Sequence, residues 1–299
     1  MTVLQDAPGL RVPAPPGPRP VTTLVALGDS TPAGLGDPAP GGGWRGFGVL
    51  LRDALGAAEL VNTARPGART AWVRHEQLPV ALAARPQAAV LAVGMNDAMR
   101  SDFDPVALHA DAAAVVAALR GVGAHVLLLR YHDHVRVFRL PAPLQRALRR
   151  RIDAVNAVTD AVAATDPAGT GVLDLHRLPG AYDRAAWAVD RLHPSELGHR
   201  LLARGLADLL ADAGFAVPAP VGPACGGGRR VTAAHRAGWL VVKGVPWLVR
   251  RGHDLGPVIV QGLVDGLRRD GAGARPPYPL RTNRSMRTSA SSSSGSAVA

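Results

Sequence analysis

Between residues 21 and 214, short unbroken apolar runs alternate with longer helical patterns, and this alternation limits the fold more than any other feature of the chain. The runs are Val21–Leu27, Leu60–Thr63, Ala88–Val93, His125–Tyr131 and Gly171–Leu175, the fourth holding Val126, Leu127, Leu128 and Leu129 in succession. Runs this short and continuous suit strands covered on both faces, as in a parallel sheet. The intervening segments carry helix punctuation. Asp104-Pro105 joins an N-cap to a proline at the first helical position, and Gly121 stops that helix. Pro143–Ala164 spaces Leu144, Leu148, Ile152, Val155, Val158 and Val162 at helical intervals. Ser195 is placed to cap a last helix, which runs to Ala213 and ends at Gly214. The β-α order predicts an α/β fold, a three-layer α/β/α sandwich around a mostly parallel five-stranded sheet, with no internal repeat.

Composition narrows the class. With 47% hydrophobic residues, the 299-residue chain has ample material for a core, which excludes wholesale disorder. A single cysteine, Cys225, excludes an internal disulfide framework and a cysteine-based zinc cluster. Thirty-three arginines stand against one lysine, Lys243, which reads as a GC-rich, actinobacterial-like coding bias. The net charge of +11 would suggest a polyanion partner, but it is unevenly placed. Residues 1–214 carry 22 Arg against 20 acidic residues, a net of +2, whereas residues 215–299 carry 12 basic residues against Asp254, Asp265 and Asp270, a net of +9. The charge belongs to the tail.

The pattern divides the chain into a flexible N-terminus (1–20), a main domain (21–214), a Pro- and Gly-rich linker (215–228), a basic and partly helical extension (229–270) and a disordered tail (271–299). No leader-like charged and apolar segment opens the chain, and no apolar run reaches the about 18 residues that span a bilayer. The nearest, Gly238–Val249, is broken by Lys243 and Pro246. The expectation is a soluble, cytoplasmic protein.

Four blocks in the main domain carry chemistry. Gly28-Asp29-Ser30-Thr31-Pro32-Ala33-Gly34 follows the first strand, so Ser30 is expected at a strand end, leading into a helix and facing the crevice where open α/β sheets bind ligands. Pro32 occupies the place of the last glycine in a Gly-x-Ser-x-Gly elbow, which argues against an ordinary α/β-hydrolase. Asn62-Thr63-Ala64-Arg65-Pro66-Gly67 follows the second strand, where Gly67 exposes a bare backbone N–H. Gly94-Met95-Asn96-Asp97 follows the third and offers the Asn96 amide as a donor. Asp190-Arg191-Leu192-His193-Pro194 precedes the last helix, with a carboxylate and an imidazole three residues apart.

In this order the four blocks resemble the SGNH hydrolase family, the GDSL-type esterases and lipases, over roughly residues 21–214. Thr31 stands where the eponymous motif has Leu, a position without a chemical role. The resemblance implies a flavodoxin-like sheet and a serine esterase that cleaves carboxylic esters through an acyl-enzyme. In it Ser30 is the nucleophile, His193 the base and Asp190 its orienting partner, with the Ser30 and Gly67 N–H groups and the Asn96 side chain as the oxyanion hole. It implies a small-molecule ester as substrate and requires no metal or organic cofactor. The same triad would serve an acyltransferase or a thioesterase. A catalytically silent SGNH fold, tethered to a membrane as a binding module, is the alternative of a different class.

Asp29, Trp44, Met95 and His132 are candidate pocket residues, with residues 38–43 as a flexible wall and Phe47 as further apolar lining. Asp29 and Asp97 are expected to brace the loops. His132-Asp133-His134 follows the fourth strand and reads as a polar lining of the crevice, or as a metal pair lacking an evident third ligand. Gly121-Val122-Gly123 lacks the following helix that dinucleotide binding would need. The extension interleaves Arg229, Arg230, Arg236, Lys243, Arg250 and Arg251 with Trp239 and Trp247. This suits packing against the body or a second subunit, or peripheral contact with an anionic membrane. Nucleic acid is not expected, for want of a motif.

Overall fold

A computed structural model describes residues 17–137 and 142–226, together with the isolated positions 232–234, 238 and 260. The extension 229–270 (apart from those positions), the tail 271–299 and residues 1–16 of the N-terminus lie outside the described residues.

Five strands, β1 (Thr23–Gly28), β2 (Glu59–Asn62), β3 (Ala88–Ala92), β4 (His125–Arg130) and β5 (Thr170–Asp174), form one sheet in the order β2-β1-β3-β4-β5, with every pairing parallel. The expected runs and the strands agree to within two residues. All five residues of β3 are buried, whereas the edge strand β2 exposes Glu59 and Asn62. Central strands need apolar side chains on both faces, and edge strands do not.

The helices are α1 (Gly46–Leu55), α2 (Thr70–Trp72), α3 (Leu78–Ala83), α4 (Met95–Ala98), α5 (Pro105–Gly121), α6 (Ala142–Ala163) and α7 (Glu196–Asp212). The Asp104 side chain accepts from the Val106 N–H, and the Ser195 side chain from the Gly198 N–H. Each satisfies a donor that a helix start leaves orphaned. α1 packs against α7, and α5 against α6, which makes the three layers. Among the described residues, no helix is long and apolar enough to cross a membrane.

Two details depart from the expected organisation. Residues 215–226, expected as the start of a linker, run along the body. Phe215 is buried, forms a bridge with Arg19 and lies under the Arg19 guanidinium at 4.1 Å, while the Ala219 N–H donates to the Ala54 carbonyl. Ser30 does not lead directly into a helix. Consecutive turns fill residues 29–36, and α1 starts only at Gly46, because Pro32, Gly34 and Gly36 favour turns over helix.

A π-helical turn, Val73–Gln77, joins α2 to α3 and aims the buried Gln77 amide at the end of β1. Gln77 Oε1 accepts from the Gly28 N–H at 2.7 Å, and Nε2 donates to the Gly28 carbonyl at 2.8 Å. The side chain thus substitutes for a neighbouring strand at the last residue of β1. Gln77→Leu strips these partners from a buried backbone unit and is expected to destabilise the protein by about 1–3 kcal/mol in urea unfolding.

Candidate active site

The chain leaves β1 toward β2 on one side and β3 toward β4 on the other, which makes the C-terminal ends of β1 and β3 the switch point of a 2-1-3-4-5 sheet, where ligands bind in open α/β folds. Gly28 pairs with Ala92 there at φ +134°, and a Cβ on it would sit 1.9 Å from the Ala92 carbonyl oxygen. Only glycine allows this approach. It delivers Asp29 and Ser30 to the crevice beside the Gly94–Asp97 turn. The Leu35 N–H donates to the Ser30 carbonyl, and the Thr31 N–H to Asp29 Oδ1, which set the serine's backbone.

From the far edge of the sheet, the loop before α7 brings back the other two groups. The Trp187–Pro194 bridge and the bond from the Ala188 N–H to the His193 carbonyl close this loop into a narrow turn. At its tip Arg191 adopts φ +55°, uncommon for a residue with a side chain. His193 Nε2 lies 2.7 Å from Ser30 Oγ, and His193 Nδ1 lies 2.6 Å from Asp190 Oδ2. Asp190 Oδ1 also accepts from the Leu192 and His193 N–H groups. Burial pushes the Asp190 carboxyl up, but the His193 hydrogen bond, the His193 charge and these backbone donors outweigh it, so its pKa lies below the ordinary value. An ionised Asp190 holds the proton on Nδ1 and leaves Nε2 to accept from Ser30. The arrangement is able to draw a proton from a hydroxyl.

Asn96 ties the blocks together. Its Nδ2 donates to Asp29 Oδ2 at 3.3 Å and to the Ala68 carbonyl at 3.2 Å, beside Gly67. Gly67 is exposed at φ +84°, with no atom within 4 Å of an added Cβ, so conformation rather than space favours glycine here. Asp97 accepts from the Thr70 N–H and hydroxyl and from Arg69, and so anchors the start of α2. Burial raises the pKa of Asp97, and it pushes Asp29 up to about 6.

The four candidate pocket residues occupy different surroundings. A cavity of about 50 Å³ is lined by Thr31, Tyr131, His132, Trp187, Leu192 and Pro194, among others. His132 lies in its wall, whereas Asp29, Trp44 and Met95 do not. Trp44 is half exposed and bridges Pro38, and Met95 packs against the core. Phe47, expected as lining, is fully buried in the core because the first turn of α1 faces α7. No sequence signal marked His199. Its Nδ1 accepts from the Phe47 N–H and its Nε2 donates to the Leu35 carbonyl, joining α7 to α1 and to the loop after Ser30. Burial lowers its pKa to about 4, so it stays neutral in this bridging role. Among the described residues, no group of three His, Cys, Asp or Glu side chains forms a metal cluster.

The chain belongs to the GDSL-like lipase/acylhydrolase family, whose model matches residues 26–201. It is a hydrolase-family protein by that membership. Among solved structures it is similar to LAE5, an alpha/beta hydrolase enzyme from the metagenome of Lake Arreo, Spain, at 22% identity over 64% of this chain and 96% of that one, with a TM-score of 0.51. It is also similar to a catalytic mutant of Axe2, an acetylxylan esterase from Geobacillus stearothermophilus, at 19% identity over 64% and 95% of the two chains, TM-score 0.51. Both likenesses are of fold. No curated protein matches the sequence.

The pKa of Asp29 is about 6 in the folded chain, above the ordinary 3.8, so the folded state holds the proton more tightly than the unfolded state. Stability from this group is full below about pH 4 and is lost as pH rises through about 6, an effect of about 3 kcal/mol. Asp29→Asn removes this contribution. The difference in unfolding free energy between wild type and variant is expected to change across pH 4–6 and to be level above pH 7.

Proposed function

We propose that the protein is a serine hydrolase of carboxylic esters. The observation that carries this reading is the continuous chain from Ser30 Oγ through His193 to Asp190, with links of 2.7 and 2.6 Å. Ser30 Oγ attacks the ester carbonyl while His193 Nε2 takes its proton. The imidazolium that forms is stabilised by Asp190. The negative charge on the carbonyl oxygen is met by the Ser30 and Gly67 N–H groups and by Asn96 Nδ2. Asn96 exchanges one of its long bonds, to Asp29 or Ala68, for the oxyanion. His193 then gives its proton to the leaving alkoxide, and the alcohol departs. Water, deprotonated by His193, attacks the acyl-enzyme and releases the acid and Ser30.

Hydrolysis of p-nitrophenyl esters from acetate to palmitate tests this. Wild type is expected to turn over at least one member and Ser30→Ala none, while activity that survives in Ser30→Ala overturns the reading. Asp190→Asn leaves His193 free to take the wrong tautomer and is expected to lower kcat by roughly 10³–10⁴-fold. Asn96→Ala removes one oxyanion donor and is expected to lower kcat by roughly 10²–10³-fold.

A further inference from the structure

The cavity beside the turns of Ser30 and His193, neither of which lines it, is apolar over most of its wall, with His132 as the discordant group. Thr31 adjoins Ser30 in the chain, and Leu192 and Pro194 flank His193, so the cavity is built on the same two turns that hold the reacting groups. His132 lines it with only 1% of its surface exposed. Its ring stacks on His134 at 4.0 Å and leans on Trp187 at 4.5 Å, with the edge of Tyr182 at 5.6 Å. These contacts hold the ring but supply no hydrogen bond, and among the described residues both Nδ1 and Nε2 are without a partner. A neutral imidazole offers one donor and one acceptor, and burying both unpaired is costly. The polar residues beside it are already engaged. Tyr131 Oη donates to the Val93 carbonyl, and His134 Nδ1 contacts the His132 carbonyl.

The described lining residues include no Lys, Arg, Asp or Glu, and burial keeps His132 uncharged, with a pKa of about 2. A charged group would find no counter-ion among them, and a purely hydrocarbon group would leave His132 unpaired. The volume is small. About 50 Å³ compares with the about 10–15 Å³ that one enclosed water needs, so a few heavy atoms fit.

We propose that this cavity takes one arm of the ester, a short and largely apolar chain bearing a single hydroxyl or carbonyl group, and that His132 hydrogen-bonds that group. The inference rests on the esterase reading and adds a specificity residue to it. A site built to bond a polar substituent discriminates against the analogue that lacks it.

Two ester pairs, followed by acid release in a pH-stat, test the inference and locate the arm. Methyl 3-hydroxybutyrate against methyl butyrate varies the acyl side, and 3-hydroxybutyl acetate against butyl acetate varies the alcohol side. In wild type, one pair is expected to favour the hydroxylated ester in kcat/KM. His132→Phe, which keeps an aromatic ring for the stack, is expected to cut that preference roughly five- to tenfold. His132→Leu is a second variant with the same expected loss, should the first not fold. Ser30-dependent hydrolysis with unchanged ratios in both pairs would overturn the role of His132 and leave the esterase reading standing. Absence of Ser30-dependent hydrolysis of all four esters by a wild type that cleaves p-nitrophenyl esters would overturn the inference alone, and absence with the p-nitrophenyl esters as well would overturn both.

Discussion

The approach of β1 to β3 at Gly28 and Ala92 is the contact on which the rest of the site depends. A side chain at Gly28 would collide with the Ala92 carbonyl, so the strands could not pair to their ends. That pairing decides how far Ser30 stands above the sheet and sets it beside the turn that carries Asn96. Gln77 completes the same strand end from another direction, filling hydrogen bonds that no strand supplies. The serine is therefore held by backbone geometry at a topological switch point. Its precision comes from packed elements rather than from its own loop.

The electrostatics around this point are arranged by burial. Asp190 keeps its charge because three N–H groups, including that of the imidazole, face it. Asp29, one residue from Ser30, is buried with fewer compensations and has a raised pKa. A second full negative charge beside the serine would oppose an oxyanion, and the desolvation of Asp29 limits that charge at mildly acid pH. His199 and His132 are both kept neutral by burial, with different results. His199 uses both ring nitrogens to bind the frame together, whereas His132 uses neither.

Much of this was legible in the sequence where the cause is local. Unbroken apolar runs marked β3 and β4, and the caps Asp104 and Ser195 marked the starts of α5 and α7 to the residue. Asp190 and His193 were readable as a pair because three residues of chain hold them together. What escaped the sequence depends on long-range placement. Gln77 reaches Gly28 across 49 positions, and His199 reaches Phe47 across 152, through helices whose spatial order no short motif encodes. Phe47 and Trp44 are alike in sequence, two aromatic residues that follow a glycine-rich stretch. Only the packing of α1 on α7 separates the buried ring from the half-exposed one. The four family blocks made the arrangement of Ser30, Asp190 and His193 readable, and the orphaned nitrogens of His132 became visible only in three dimensions.

The central claim is that Ser30 is made nucleophilic by His193, and covalent labelling tests it most directly. The protein is treated with a fluorophosphonate and digested, and the adduct is located by mass spectrometry in wild type and in His193→Ala. The account predicts one adduct, on Ser30, formed rapidly in wild type and slowed by several orders of magnitude in the variant. A folded wild type that stays unlabelled, or an adduct formed on Ser30 at the same rate without His193, would contradict it.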